Sequence, residues 1–304
     1  MAFVILTIII AYYFVPNFSH NVIPLLKEFR PEYVFLALAA TLAHFFAEVS
    51  RWWVYLRKGN GQDSGLFSTL LGIFSITALV TYLLPAKLGL PLRAYLLTSR
   101  LRLRLSTVTA YLVLDGVMAY GTWILLGLVF YLIYGESLPI ERIQLLLIAV
   151  ALVLMFGYLF RRRLHSLLIK LRGQFSLFPV SGLYVVVAIL LLDIAGYVAR
   201  HAAILAAMNI ELALPLIAYA TIVSIAAGFI SMLPMGLGAY DVALIFLLTT
   251  MGIPLDSAVL VPLLNRAANI AISIALGLPT SYVMGESLFS LATKSRKHTG
   301  VSDI

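Results

Sequence analysis

Long apolar runs dominate this sequence and restrict it to one broad class of fold. Eight of them cover about residues 2–15, 33–50, 66–84, 108–134, 145–160, 183–208, 212–233 and 242–282, the last interrupted near Gly252–Pro254. Several approach or exceed the ~20 apolar residues that cross a bilayer as a helix. Only 11% of the 304 residues are charged, against about 25% in a soluble domain. The pattern predicts an all-α polytopic integral membrane protein.

The charge and the missing cysteines exclude several classes of function. The net charge is +8, but the basic residues cluster at the ends of apolar runs, where they set the orientation of a membrane protein. We therefore expect no nucleic-acid partner. With no cysteine in the chain, disulfides, thiolate catalysis and cysteine-based metal sites are excluded. The first run lacks a basic n-region and a small-residue cleavage site, so we expect a retained span and not a signal peptide.

The basic clusters predict a segment that enters the membrane and returns. The dense clusters are Arg57–Lys58, then Arg100, Arg102 and Arg104, then Arg161–Arg163 with Lys170 and Arg172, and finally Lys294, Arg296 and Lys297. If all are cytoplasmic, together with both termini, the first two lie on one side of the membrane. The segment between them then forms a re-entrant pair of half-helices with its turn at LPAKLG, residues 84–89. Such a break is tolerated where it is buried in protein or lines a wet cavity.

A second, similar break predicts an internal repeat. LPMGLG at residues 233–238 follows LPAKLG by 149 residues, and Arg200 follows Arg51 by the same interval. Asp115-Gly116 corresponds to Asn265-Arg266 at an interval of 150 residues. We predict a single membrane domain over residues 1–285, with inverted halves at about 1–142 and 143–285, and a polar cytoplasmic tail at 286–304. Each half would supply three spans and one re-entrant pair, giving six spans in all; eight full spans are the alternative. Paired Pro/Gly breaks in inverted repeats are typical of transporters whose site lies between the repeats.

Charged residues within the apolar runs are the main candidates for function. Each costs about 2.5–3.5 kcal/mol near a helix centre on insertion scales. Glu48 and Arg51, spaced i and i+3, share a helix face and could pair, although Arg51 could also mark the interfacial end of its span. Asp193 and Arg200 lie two turns apart on one face. Pairing among these charges, for instance Asp241 with Arg266, and contact with a ligand both remain open.

The breaks and the charges together favour an anionic ligand. A half-helix that starts after a break directs its N–H groups and positive dipole end at anions. Arginine grips phosphate oxygens in bidentate fashion, and a positive site within apolar walls suits a lipid phosphate. The candidate phosphate-binding residues are Lys87, Arg93, Arg200 and Arg266. The breaks lining the site are Pro85, Gly89, Pro234, Gly236 and Gly238. The charge partners or proton carriers are Glu48, Arg51, Asp115, Asp193 and Asp241.

The sequence gives little support to an enzyme. Its five histidines form no HExxH or other metal-ligand spacing, and neither a P-loop nor GxSxG is present. We expect no catalytic residue, metal or cofactor. Two alternatives stay open: a non-transporting scaffold for a lipid- or glycan-modifying enzyme, and an intramembrane lipid-modifying enzyme that uses Asp115, Asp193 or Asp241.

The motifs resemble those of a known family over nearly the whole chain. A broken LP segment with a glycine and a basic residue, a later P-x-G-x-G-x-x-[DE], and an R-x-x-N helix ending in ALGLP resemble the flippase-like transmembrane family, named for the membrane region of lysylphosphatidylglycerol synthase. The residues that carry the resemblance are Pro85, Gly89, Arg93, Pro234, Gly236, Gly238, Asp241 and Arg266. Two departures are Leu90, where the family has glutamate, and Asp115-Gly116, where it has Glu-Arg.

The resemblance implies a lipid translocase in the cell membrane. In the family this domain is thought to move a lipid between leaflets, with aminoacylated phosphatidylglycerol the best-known cargo, and related members accompany polyprenyl-linked glycan or hopanoid pathways. The expected partners are thus membrane lipids, either an anionic phospholipid or a polyprenyl-phosphate type, with a lipid-modifying enzyme as a further candidate. The synthase's soluble aminoacyl-transfer domain has no counterpart in the sequence, so we expect no lipid aminoacylation by this chain alone.

Overall fold

Every regular element in the described part of the chain is an α-helix. The computed structural model describes residues 29–57, 65–83, 88–134, 180–231 and 238–284. Its helices are α1 (Pro31–Leu56), α2 (Leu66–Leu83), α3 (Gly89–Leu101), α4 (Leu105–Tyr134), α5 (Val180–Ala207), α6 (Leu214–Ile230), α7 (Ala239–Thr250) and α8 (Leu255–Val283). The predicted spans at 2–15 and 145–160 lie outside these ranges, as do Pro85, Lys87, Pro234 and Gly236.

Four of these helices are long and apolar enough to cross a membrane. They are α1, α4, α5 and α8, with mean hydropathies of 1.5, 1.9, 1.8 and 1.7 in their most apolar windows. Helix α1 continues to Leu56, beyond the end of its apolar run, with Arg51 and Trp52 buried in its last turns. Arg51 is therefore enclosed by protein, and the helix continues for more than one turn beyond it.

The other helices are shorter and occur as two pairs, α2 with α3 and α6 with α7. Helices α3 and α7 have 13 and 12 residues, so at ~1.5 Å per residue they are about 20 Å long, less than the ~30 Å hydrocarbon core. Arg93, one turn into α3, contacts Phe74 and Thr77 of α2, so α2 and α3 form an antiparallel hairpin. A Cβ on Gly89 would lie 1.7 Å from Thr81 Oγ1 and 2.8 Å from Thr77 O. Glycine is thus required where α3 begins against α2.

Large apolar side chains lie on the outer surface of the helices, and several charged side chains lie in the interior. Phe35, Leu132 and Leu192 are 72%, 66% and 70% exposed, whereas Arg51, Asp193 and Arg200 are buried. Lipid tails are as apolar as leucine side chains, so exposed apolar faces are stable in a bilayer, and polar groups turn inward to find partners. This distribution is that of a membrane protein.

The helices of the two halves follow one another at a nearly constant interval. Helices α1 and α5 begin 149 residues apart, α2 and α6 148, and both α3 and α7 and α4 and α8 150. The contacts are reciprocal as well, because α2 packs on α8 while α6 packs on α4.

The two corresponding helices α1 and α5 pack against each other in opposite directions. The Arg30 N–H at the start of α1 donates to the Ala207 carbonyl at the end of α5, at 3.1 Å. At mid-length His44 contacts Asp193, and these two residues are the corresponding positions, 149 residues apart. The antiparallel crossing of α1 and α5 is therefore centred on this pair.

Candidate functional site

The structure places the described charged candidates on the inner faces of the helices. Asp115, Asp193, Asp241, Arg51, Arg200 and Arg266 are at most 9% exposed, and the Glu48 and Arg93 side chains are 24% and 14% exposed. Four are cations and four are anions, so the set is formally neutral when histidine is uncharged. How each cation is paired therefore decides which one is available to a ligand.

Arg51 is held by two carboxylates. Its Nε donates to Asp115 Oδ1 at 3.0 Å and its Nη1 to Asp193 Oδ2 at 3.1 Å. Asp115 also accepts from Trp52 Nε1 at 3.2 Å and from the Tyr55 hydroxyl at 3.3 Å. The i, i+3 pairing of Arg51 with Glu48 is replaced by these bonds to other helices. Arg51 thus ties α1 to both α4 and α5.

His44 extends this cluster and was missed by the sequence reasoning. Its Nδ1 pairs with Asp193 Oδ1, and its ring meets the edge of the Tyr197 ring with centroids 4.5 Å apart. Asp193 therefore pairs with His44 and Arg51 of α1, and not with Arg200 on its own helix. The interval of 149 residues between His44 and Asp193 was the available signal, because it matches the interval of the two LP breaks.

Arg93 has a carboxylate partner and an aromatic one. Its Nη1 donates to Glu48 Oε1 at 2.6 Å and its Nε to Thr77 Oγ1 at 3.4 Å. Its Cζ lies 4.1 Å from the centroid of the Phe74 ring, a cation–π arrangement. Arg93 therefore fastens the start of α3 to both α1 and α2.

Arg266 pairs with Asp241 at the start of α7. Its Nη2 lies 2.7 Å from Asp241 Oδ2 and 2.9 Å from Oδ1. Asp241 Oδ2 also accepts from the Gly238 N–H at 3.1 Å, and Gly238 has a φ of +81°, which favours glycine. This helix N-terminus already holds a carboxylate of its own chain, and Arg266 neutralises that carboxylate.

Arg200 differs from the other three arginines because its environment is polar but uncharged. It is 0% exposed, and its Nη1 donates to Asn269 Oδ1 at 3.1 Å and to Thr41 Oγ1 at 3.5 Å. Its guanidinium Cζ lies 4.2 Å from the Tyr197 ring centroid. Its Nε and Nη2 find no well-aligned hydrogen-bond partner within the described residues, although the Tyr197 side chain also approaches the guanidinium. None of the ion pairs in those ranges involves Arg200.

An unpaired buried guanidinium is costly, and that cost points to a ligand. Burying a charge without an ionic partner opposes folding by several kcal/mol, of order 3–5 when a partner is removed from a buried pair. Tyr82, at the end of α2, lies within electrostatic range of Arg200, Arg266 and Tyr197. Chemically, the arrangement can bind an anion through the free N–H groups of Arg200, beside the hairpin of α2 and α3.

A nearby histidine is fully satisfied by the protein. His201 Nδ1 lies 2.8 Å from the Tyr197 carbonyl and Nε2 lies 2.7 Å from the Tyr240 hydroxyl. A carbonyl only accepts, so Nδ1 carries the hydrogen of the neutral ring, and Nε2 accepts from Tyr240. Asn265 Nδ2 donates to the same hydroxyl at 3.1 Å. His201 is thus a structural residue. No group of three or more potential metal ligands occurs among the residues described.

A comparison with family models shows which protein family the chain belongs to. Residues 1–277 match the model described as the lysylphosphatidylglycerol synthase TM region. The chain belongs to this family. With its four long apolar helices, membership identifies a multi-pass membrane protein and connects it to a lipid-related role in the membrane. Comparisons with curated proteins and with solved structures gave no match.

Proposed function

We propose that this protein moves an anionic phospholipid, or another phosphate-bearing lipid, between the leaflets of its membrane. The observation that carries the proposal is the state of Arg200, a fully buried cation with two free nitrogens and no carboxylate partner in the described ranges. Membership of the family supports a lipid as the cargo. The protein then acts as a transporter and not as an enzyme.

The pairing of the charges favours Arg200 as the main phosphate ligand. Arg93 and Arg266 each face a carboxylate, so a phosphate would have to displace Glu48 or Asp241 to reach them. Arg200 requires no such exchange. Its free Nε and Nη2 have the fork geometry that binds phosphate oxygens in bidentate fashion.

A lipid suits this site better than a soluble anion does. The route to Arg200 passes among helices whose outer faces are apolar, such as those carrying Phe35 and Leu192, and few polar residues are available to line a wide aqueous path. A lipid headgroup can enter the polar interior while its tails stay in the bilayer. The charged interior offsets part of the cost of carrying a phosphate through the hydrocarbon core.

We further propose that the two halves are inverted repeats, each with a re-entrant hairpin. The constant interval between corresponding helices and the antiparallel crossing of α1 and α5 support this arrangement. Inverted repeats alternate access by moving one bundle against the other around a fixed site. Because Arg200 is 0% exposed, a headgroup reaches it in the proposed cycle only after helices move apart.

Cysteine accessibility tests this topology. Single cysteines at Asn60, before α2, and at Ser99, in the last turn of α3, should be labelled from the same side of the membrane in intact cells. A cysteine at Glu136, after α4, should be labelled from the other side. Labelling of Asn60 and Ser99 from opposite sides would mean that the α2–α3 segment crosses the bilayer, and the eight-span alternative would then hold.

Lipid translocation by the purified protein tests the function itself. Proteoliposomes carrying tail-labelled fluorescent phosphatidylglycerol or phosphatidylcholine are treated with an impermeant quencher to follow each lipid's movement. We expect faster movement of phosphatidylglycerol, and a loss of at least about tenfold with Arg200→Gln, as for removal of one charged hydrogen-bonding group. Arg104→Gln, at an exposed arginine, is the matched control. Equal rates in wild type and Arg200→Gln would contradict the proposal.

A further inference from the structure

The cluster around Asp193 carries one more negative than positive charge unless His44 is protonated. Asp115 and Asp193 supply two carboxylates and Arg51 supplies one guanidinium. His44, in contact with Asp193, is the titratable group that can supply the missing positive charge. Histidine is the side chain whose ordinary titration falls near neutral pH. The His44 side chain is 19% exposed, so it is less enclosed by protein than Asp193.

The other charged groups around His44 are already paired, with Arg200 as the exception. On its own helix, Glu48 pairs with Arg93 of α3 and Arg51 with both aspartates. Helix α4 contributes Asp115 and α5 contributes Asp193, Tyr197 and Arg200. Helix α2 contributes Tyr82, and α8 contributes Arg266, which is paired with Asp241. Among the residues that the structure describes, the uncompensated charges are therefore the excess carboxylate beside His44 and the guanidinium of Arg200.

One aromatic ring separates these two sites. Tyr197 meets the His44 ring edge-on, with centroids 4.5 Å apart, and the Arg200 guanidinium lies 4.2 Å from the centroid of the same ring. The His44 ring and the Arg200 Cζ are thus no farther apart than these two distances combined. At such a separation in a protein interior, charges influence each other's binding by about tenfold.

We propose that His44 and Asp193 form a proton-binding site coupled to the anion site at Arg200, so that a proton and an anionic headgroup bind together. The buried charges balance before the headgroup arrives, and its negative charge would leave an excess that a proton on His44 cancels. The protonated ring donates from Nδ1 to Asp193 Oδ1, and the proton returns to water when the headgroup leaves. Coupling is reciprocal, so a proton favours headgroup binding as much as the headgroup favours the proton.

The consequence for transport is that a pH difference would drive the lipid. When the protein binds both the proton and the anionic headgroup, or neither of them, it changes between its two states without net buried charge. A proton gradient would then concentrate the anionic lipid in the leaflet facing the more alkaline side. This inference rests on the proposed function, and it adds an energy source to it.

Proton uptake gives a test that does not depend on translocation. Dihexanoylphosphatidylglycerol is added to the purified protein in weakly buffered detergent at a series of pH values, and an indicator dye reports protons. We expect uptake approaching one proton per protein with this lipid and none with dihexanoylphosphatidylcholine. His44→Gln and Asp193→Asn should each abolish the uptake, whereas His201→Gln, at a buried histidine without a carboxylate partner, should retain it. No uptake by the wild type, or unchanged uptake in His44→Gln, would overturn the proposal.

Proteoliposomes with an imposed pH difference separate the two proposals. With the gradient, wild-type protein should raise the amount of fluorescent phosphatidylglycerol in the leaflet on the alkaline side several-fold over the amount found without a gradient. In Asp193→Asn and His44→Gln the two amounts should be equal. Translocation that ignores the gradient in the wild type would overturn the proton site and leave the proposed function standing. No translocation by the wild type, together with proton uptake on lipid binding, would overturn the proposed function and leave the coupled site standing.

Discussion

Arg51 and Arg200 occupy the same place in two corresponding helices and have opposite surroundings. Each is the residue 20 positions after the first residue of its helix, α1 or α5, and each is buried. Arg51 meets two carboxylates, whereas Arg200 meets an amide, a hydroxyl and an aromatic ring. Equivalent positions in two corresponding helices therefore do not give two buried arginines the same role. The partner from the neighbouring helix differs, since α4 supplies Asp115 to Arg51 and α8 supplies Asn269 to Arg200.

Removing Arg51 should give the largest loss of stability. Arg51→Ala leaves Asp115 and Asp193 buried without their shared cation, and breaking a buried ion pair costs about 3–5 kcal/mol. Thermal unfolding of the purified protein in detergent measures the loss. Arg57→Ala, at an exposed arginine next to α1, is the control and should change stability by less than about 0.5 kcal/mol. A small effect of Arg51→Ala would mean that the cluster does not hold the helices together.

Asp241→Asn should cost somewhat less. It leaves Arg266 without its carboxylate and weakens the bond from the Gly238 N–H, a loss of about 2–4 kcal/mol. The double variant Asp241→Asn with Arg266→Gln should recover part of that loss, because it removes both charges. Strict additivity of the two changes in the unfolding experiment would show that the two side chains do not interact.

Glu48→Gln should have a smaller effect. The Glu48 side chain is 24% exposed, more than those of Asp115 and Asp193, and losing one hydrogen bond between charged groups costs about 1.5–3 kcal/mol. The Arg93–Phe74 contact remains in this variant. A double-mutant cycle with Arg93→Gln in the same unfolding assay isolates the coupling. A coupling energy as large as that at Arg51 would contradict the ranking.

Arg200→Gln should cost the least stability while changing transport most. No carboxylate in the described ranges loses its partner, and the variant removes the cost of burying an uncompensated charge, so the free energy of unfolding should stay the same or rise. Lipid movement in proteoliposomes should nevertheless fall by about tenfold or more. This combination separates a ligand-binding arginine from a structural one. If Arg200→Gln unfolds the protein as readily as Arg51→Ala does, the comparison fails.

The apolar runs predicted most of the described helices because hydrophobic length is a local property. The run at 108–134 became α4, from Leu105 to Tyr134. The run at 33–50 ended too early, since Arg51 and Trp52 continue α1 in a buried environment. Their stability there depends on Asp115, which is 64 residues away in sequence. The spans at 2–15 and 145–160 remain predictions.

Pairing of charges was predictable only in part. The sequence leaves pairing of Asp241 with Arg266 open beside ligand contact, and the structure contains that pair. Helical spacing allows Glu48 to pair with Arg51, but Glu48 pairs with Arg93, because the α2–α3 hairpin brings that arginine to the side of α1. The lack of a carboxylate partner for Arg200 among the described residues could not be predicted from sequence spacing. It depends on tertiary packing, which brings Thr41 of α1 and Asn269 of α8 to the guanidinium.

The crossing of α1 and α5 has a consequence for how such a molecule acquires asymmetry. In an assembly of two identical subunits, a residue on the two-fold axis meets its own copy. Two aspartates or two protonated histidines would repel each other there. Under the proposed inverted repeat, a single chain is free of this constraint, and its corresponding positions hold a histidine, His44, opposite an aspartate, Asp193. A single chain can therefore place an acid–base pair at the crossing of these helices, and a symmetric dimer of identical subunits cannot.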